Sequence, residues 1–458
     1  MEKPVIVQSD RTILLEVNNP LYPEARDTLS VFAELVKSPE HIHTYRITAI
    51  SLWNAAALGH TGPEIVETLR RLSRYEVPEN IEREIEEFCA RYGALVLEDG
   101  PAGLELVGSD PLLVEELANH PKVAPFLGDR LGGGRYAVAA GFRGHLKQAL
   151  IRLGWPVEDR AGYEKGDPLD ISLRSTLEDG TPFVLRAYQI EARDNYLAGG
   201  GGGVVVLPCG AGKTIVGMGV MAALECNTLI LTTSVTAVRQ WIRELIEKTT
   251  LSREDVGEYT GVLKEIRPVT ITTYQMVSHR PRKKGIFPHF RIFDSRNWGL
   301  IVYDEVHLLP APVFRITAEI QSRRRLGLTA TLVREDGRER DVFSLIGPKR
   351  YDVPWKELER QGWIAKALCV EIRLDLTPEK RVEYAVAGPR SRYRIAAENP
   401  AKLDVLERLV ERHSGDNVLI IGQYLRQLEE VRKRLRAPLI TGRTPARERD
   451  RLYDDFRR

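Results

Sequence analysis

The run from Val204 to Leu224, VVVLPCGAGKTIVGMGVMAAL, constrains the fold more than any other part of the chain. An apolar strand passes directly into a Gly-rich turn and then into a helix-forming segment. Backbone N–H groups in such a turn, together with the helix dipole, attract an anion. Gly210 and Gly212 let the backbone curl without a Cβ clash. Pro208, Cys209 and Ala211 complete the loop around the phosphates. Lys213 reaches the β- and γ-phosphates of a nucleotide, and the Thr214 hydroxyl ligates Mg²⁺. Leu207 stands where the general phosphate-loop pattern has its first glycine.

A loop of this kind needs a parallel sheet beneath it. From 181 onward, short β-branched runs alternate with helical stretches: 204–207, 228–233, 269–274, 300–303 and 326–331. That alternation predicts βαβ units and an α/β fold. The pattern resumes at 417–422, NVLIIG, after a helix near 401–413, and predicts the first strand of a second α/β unit. Helices near 425–436 and up to 458, with a strand between them, continue it.

The strand LIVY is followed by DEVH, Asp304 to His307. Its carboxylates emerge at the strand's C-terminal end, where open α/β sheets bind ligands. Asp304 is expected to hold Mg²⁺ and Glu305 to orient the attacking water, the remaining need of phosphoryl transfer. Lys213, Asp304 and Glu305 form the candidate catalytic set. In LTAT, Thr329 and Thr331 can hydrogen-bond the DEVH segment, coupling nucleotide state to the sheet with His307. Upstream, Arg186 and Gln189 in LRAYQ lie about 20 residues before the loop. The Gln189 amide is expected to pair with the edge of adenine.

The first part of the chain reads differently. Residues 4–17 predict two strands around a Ser-Asp-Arg turn. Thr61 caps a helix with the stripe Ile65, Val66, Leu69 and Leu72, a second helix covers 80–92, and 94–108 reads as a hairpin. Two helices and a hairpin suit a DNA-reading wing. Residues 61–110, however, carry twelve acidic and five basic side chains, a net of −7. Such a module repels phosphates and favours protein contact or structural packing.

The 458 residues suffice for about three domains. The formal net charge of +2 confines any DNA-binding surface to a local patch. Four scattered cysteines without a CxxC pair argue against zinc and disulfides and fit a reducing compartment. No signal peptide or membrane-length apolar run is expected, which makes the cytoplasm the default.

Together, LPCGAGKT, DEVH and GLTATLVREDGRERDVFSLIGPK resemble the XPB family of superfamily 2 helicases. HIHTYRITAISLWNAA at 41–56 and WKELERQGWIAK at 355–366 share the resemblance. It implies a RecA-like domain at 181–350, an incomplete second one at 351–458, an α+β interaction region at 1–130 and a damage-recognition-like unit at 131–180. The implied activity is ATP- and Mg²⁺-dependent DNA translocation or unwinding in repair, with 3′ to 5′ polarity. The implied partners are DNA and, through the acidic N-terminal region, a nuclease or other repair protein.

By the same resemblance, Arg334, Glu335 and Asp336 are the RED motif, suited to strand separation or to an interdomain ion pair. Thr233, Ser234, Arg239, Gln240, Thr273 and Tyr274 belong to segments that hold one DNA strand by its phosphates. The basic stretch 376–396 occupies the place of a thumb-like insertion, a phosphate-contacting arm or a solvated helix. No string like the family's arginine-finger motif occurs, so the chain is expected to be a fragment whose unfinished sheet leaves a poor motor. An RNA helicase and an ATP- and DNA-binding module without motor activity are the alternatives.

Overall fold

The computed structural model describes residues 3–39, 41–280, 287–320, 323–331 and 339–457. It divides into two compact units, Met1–Ala365 and Lys366–Arg458.

The first unit begins with strands β1 (Val5–Val7) and β2 (Thr12–Glu16), helix α1 (Tyr22–Phe32), and strands β3 (Glu34–Lys37) and β4 (Ile42–Arg46). The strands form an antiparallel sheet in the order β1-β2-β4-β3. Alternation along β2 buries Ile13 and Leu15 against Leu29 and Phe32 of α1. Helices α2 (Ala49–Ala57), α3 (Gly62–Leu72) and α4 (Glu79–Arg91) close this layer. Thr61 and Glu64 form a reciprocal capping box at the start of α3. The stripe Ile65, Val66, Leu69 and Leu72 is buried.

Next come β5 (Leu95–Gly100), β6 (Gly103–Gly108), α5 (Pro111–Ala118), β7 (Arg130–Gly132), β8 (Arg135–Ala137), α6 (Arg143–Arg152) and β9 (Val157–Asp159). They build one sheet, β7-β8-β6-β5-β9, around a single core. The boundary expected at 130/131 therefore falls inside a sheet: Arg135–Ala137 pairs with Glu105–Val107. Residues 131–180 are not a separate unit. The two helices and the hairpin of 61–110 also belong to two different cores, because the hairpin joins the second sheet.

The third layer is the parallel sheet. Its elements are α7 (Ala187–Ala198), β10 (Gly202–Val206), α8 (Lys213–Leu224), β11 (Thr228–Thr232), α9 (Val235–Lys248), β12 (Val256–Tyr259), β13 (Val269–Thr273), α10 (Tyr274–Ser278), β14 (Leu300–Asp304), α11 (Ala311–Glu319), β15 (Arg324–Thr329), α12 (Glu339–Leu345), β16 (Lys349–Asp352) and α13 (Trp355–Arg360). Seven strands align in the order β12-β13-β11-β14-β15-β10-β16, all parallel. Apolar runs with no polar alternation suit strands covered on both faces. Val205, Ile230, Ile271 and Val302 enter one core, while Val204, Leu229, Ile301 and Tyr303 enter the other.

The expected boundary at 350/351 moves because β16 pairs with β10. That close pairing needs Gly203, where a Cβ would lie 2.8 Å from the Pro348 carbonyl oxygen. Across the layers, Trp53, Ile151 and Phe343 form a shared cluster.

The second unit, taken by itself, contains α14 (Pro378–Val386), α15 (Pro389–Ala397), α16 (Ala401–Arg412), α17 (Leu425–Leu435) and α18 (Ala446–Arg457). The helices fall where expected, but the strand expected at 417–422 and the one expected between α17 and α18 do not form. Among the described residues of this unit no ladder exists. An apolar run becomes a strand only when a neighbour supplies its hydrogen bonds, and Leu419 and Ile421 are exposed.

Candidate nucleotide site

The site grows from the register of the central strands. β15 lies between β14 and β10, with Leu328 opposite Asp304 and Thr329 opposite Val206. The phosphate loop, DEVH and LTAT therefore leave the sheet side by side at one edge.

In the loop, Gly212 caps α8 with φ 77° and ψ 46°, a left-handed conformation that favours glycine. Ile215 N–H makes the first bond back to Gly212, at 3.0 Å. The amides of Lys213 and Thr214 precede that bond at the positive end of the helix. Lys213 Nζ lies 3.5 Å from Glu305 Oε1, which brings a cation and a carboxylate together over the loop.

Asp304 is held from two elements. Trp241 Nε1 on α9 donates to its Oδ2 at 3.0 Å, and Thr232 Oγ1 at the end of β11 donates at 3.3 Å. Burial pushes its carboxyl above the usual range; the indole bond opposes this, the Glu305 charge adds to it, and Lys213 and Thr232 oppose it. Glu305 sits at φ 49°, ψ 54°, a left-handed conformation rare for a residue with a side chain. Strain of this kind persists where a site over-determines it. His307 Nδ1 and Thr329 Oγ1 are 2.8 Å apart, and Thr329 Oγ1 lies 3.1 Å from the Thr331 amide that donates to it.

Three residues with expected ligand roles make internal bonds here. Gln189 is only 4% exposed. Its Oε1 accepts from Arg186 N–H at 3.0 Å and its Nε2 donates to the Ala211 carbonyl at 3.1 Å. The amide braces the phosphate loop. Tyr188, which the sequence places in the same LRAYQ string, donates to the same carbonyl at 2.8 Å. Thr273 is buried and caps α10 through a bond from Met276 N–H, so its hydroxyl is spent internally. Tyr274 is buried and donates to the Asp304 carbonyl at 2.8 Å. Both hydroxyls are engaged within the domain.

Thr233, Ser234, Arg239 and Gln240 are exposed at the start of α9, where Ser234 accepts from Ala237 N–H. The Arg186 guanidinium stacks on the Trp363 ring, 4.5 Å from its centroid. Arg334, Glu335 and Asp336 lie outside the described residues.

Sequence reasoning missed Trp241 and Thr232 as partners of Asp304. In the sequence Trp241 reads as one more apolar position beside Val238 and Leu245.

A phosphate loop and a DExH box on the two strands that flank β15 in one parallel sheet define a P-loop nucleoside triphosphatase of helicase type. Three family models match: the helicase conserved C-terminal domain at 5–132, the type III restriction enzyme res subunit at 182–334, and the ERCC3/RAD25/XPB C-terminal helicase at 358–458. The chain belongs to the XPB family of DNA helicases.

"DNA 3'-5' helicase XPB" of Kineococcus radiotolerans is 53% identical over 99% of this chain and 80% of its own length. The protein of that name from Mycobacterium tuberculosis is 53% identical over 99% and 82%. The "General transcription and DNA repair factor IIH helicase/translocase subunit XPB" of Antonospora locustae is 33% identical over 99% and 68%.

Proposed function

We propose that this chain is an ATP-driven motor that moves 3′ to 5′ on DNA, opening or remodelling duplex during repair. The observation that carries the reading is the meeting of Lys213, Asp304, Glu305 and Thr329 at one edge of the sheet, within a family of DNA helicases.

Each side chain has a task in that reading. Lys213 and the first-turn amides of α8 neutralise the phosphate chain. Glu305 polarises the attacking water, with its carboxylate aimed by the left-handed backbone. Asp304 and Thr214 would hold Mg²⁺, whose charge stabilises the transferring phosphoryl group. Hard oxygen donors of this kind, few in number and beside a phosphate loop, fit an ion that keeps several waters. Trp241 and Thr232 fix the Asp304 carboxylate. His307 and Thr329 pass the state of the site to the neighbouring strand. Arg186, steadied by Trp363, flanks the base, and Gln189 and Tyr188 hold the loop.

Thr233, Ser234, Arg239 and Gln240 are the proposed DNA contacts near the site. The helical pair α14 and α15, with five basic and two acidic side chains between Leu376 and Arg394, is the proposed phosphate-contacting arm. Arg334 to Asp336 act in strand separation. The acidic helices of 61–110 are the proposed protein-docking surface, and the four free thiols suit the reducing cytoplasm.

The test is strand displacement from 3′-tailed, 5′-tailed and RNA duplexes with ATP. Displacement restricted to the 3′-tailed DNA supports the reading. Equal use of RNA, or of 5′ tails, overturns it.

A further inference from the structure

Five consecutive glycines, Gly199 to Gly203, join α7 to β10, and the nucleotide chemistry makes no use of them. They lie at the N-terminal end of the parallel sheet, where β10 begins at Gly202, β15 at Arg324 and β16 at Lys349. The phosphate loop leaves the other end of β10, about 16 Å away along a five-residue strand.

The glycines form a bed for two arginine side chains. A Cβ on Gly199 would lie 2.5 Å from Arg350 Nε, and one on Gly201 would lie 2.9 Å from Arg324 Cγ. Arg350 donates from Nε to the Gly202 carbonyl at 3.1 Å and from Nη2 to the Gly199 carbonyl at 2.8 Å. Arg324 donates from Nη1 to the Glu164 carbonyl at 3.2 Å. Among the described residues, Arg350 Nη1 and Arg324 Nε and Nη2 donate to no protein atom.

These two arginines and Arg160, just past β9, line an open cavity of about 490 Å³ together with Asp159, Tyr163 and Gly200. The carboxylates around it are already matched. Glu158 takes two bonds from Arg160, at 2.9 and 2.8 Å. Asp159 is shared by Arg143 and Lys147, each at 2.7 Å. Glu164 pairs with Arg323 at 2.9 Å. Arg324 and Arg350 pair with no carboxylate among the described residues, so the cavity holds surplus positive charge.

We propose that this cavity binds a compact, multiply charged phosphate anion of the pyrophosphate class through Arg324, Arg350 and Arg160. A carboxylate has two oxygens and fills one guanidinium fork; guanidiniums arriving from three elements call for more acceptors, which a diphosphate supplies. Tyr163, the ring in the lining, already carries the Arg143 and Arg325 guanidiniums at 4.9 and 5.2 Å, so the cavity recognises the phosphates and not a base. The cations converge on one cavity and do not run along a surface, which suits a compact anion and not a nucleic-acid backbone. Bound there, the anion ties Arg160 of the second sheet to Arg324 and Arg350 of the parallel sheet, and fixes the start of the strand that ends in the phosphate loop.

The experiment is isothermal titration with inorganic pyrophosphate in the absence of divalent metal, comparing the unaltered chain with Arg324→Gln, Arg160→Gln and Lys213→Ala. Arg160 is exposed and Arg324 partly so, and melts without ligand check that each variant folds. Binding is expected to weaken about tenfold in Arg324→Gln and in Arg160→Gln, the loss of a charge-assisted hydrogen bond, and to persist in Lys213→Ala at the other end of the sheet. Saturating pyrophosphate is expected to raise the melting temperature of the unaltered chain and of Lys213→Ala, and to raise that of Arg324→Gln less. Binding lost in Lys213→Ala but kept in the arginine variants puts pyrophosphate on the phosphate loop and overturns the site. Absence of binding, or equal binding by all four proteins, overturns it as well. Displacement of the pyrophosphate by oligothymidylate assigns the arginines to DNA and also overturns the proposal.

Discussion

Trp241→Phe isolates one bond at the centre of the site. The indole Nε1 donates to Asp304 Oδ2 at 3.0 Å, and phenylalanine keeps most of the buried ring without a donor. A hydrogen bond to an ionised group contributes about 1.5–3 kcal/mol. The missing ring atoms leave a small cavity that costs about 1 kcal/mol more.

The two parts respond differently to pH. Burial, the largest influence on Asp304, raises its carboxyl above 3.8, and the indole bond opposes that rise. A carboxyl raised in the folded state adds stability at low pH, and that stability is lost as pH rises through the folded value. Ionised Asp304 thus opposes folding at neutral pH, and the indole offsets the opposition. Without the indole the carboxyl rises further. The variant's deficit should therefore be about 2.5–4 kcal/mol near neutrality. It should fall toward about 1 kcal/mol, the cavity part, as pH drops through the raised Asp304 range. Hydrogen exchange of the β14 amides reads the local opening free energy directly. A deficit of the same size at both ends of the pH range would show that the indole does not hold the carboxylate.

Lys213→Ala is expected to abolish ATP turnover with little change in melting temperature, because the side chain acts on a loop at the sheet edge; an ATPase assay and a thermal melt check it. Glu305→Gly should stabilise the protein by about 1 kcal/mol by relieving the left-handed strain while removing hydrolysis. Urea titration beside the same ATPase assay tests that pairing. Buried Lys147 shares Asp159 with Arg143, and burial lowers its pKa from 10.5 to about 8. Between those values the unfolded chain binds the extra proton, so stability should rise with pH. Lys147→Met should flatten that rise in denaturation curves taken across the interval.

The parts of the site that were legible in the sequence are contiguous strings. LPCGAGKT and DEVH each combine a strand, a turn and the reactive side chains within a few residues, so local pattern carries them. The bonds that hold Asp304 were not legible. Trp241 and Thr232 lie 63 and 72 residues from it, and strand order alone brings them together. Gln189 and Tyr274 show the opposite effect. Each polar group reads as free to meet a ligand, and tertiary packing spends it on a nearby backbone carbonyl. Among the strands, β12 and β16 are short edge elements with little apolar pattern and were overlooked. Residues 417–422 have the pattern of a strand but no partner in their own unit, and β structure depends on pairing as much as on composition.

The central claim is that Glu305 activates the water for ATP hydrolysis and that DNA controls this step. The most direct measurement is steady-state ATP hydrolysis with and without single-stranded DNA, comparing the unaltered chain with Glu305→Gln, alongside fluorescent-nucleotide binding. The account expects DNA to accelerate the unaltered chain, and Glu305→Gln to bind nucleotide normally and to hydrolyse almost none in either condition. Hydrolysis by Glu305→Gln at the rate of the unaltered chain, or a rate indifferent to DNA, would contradict it.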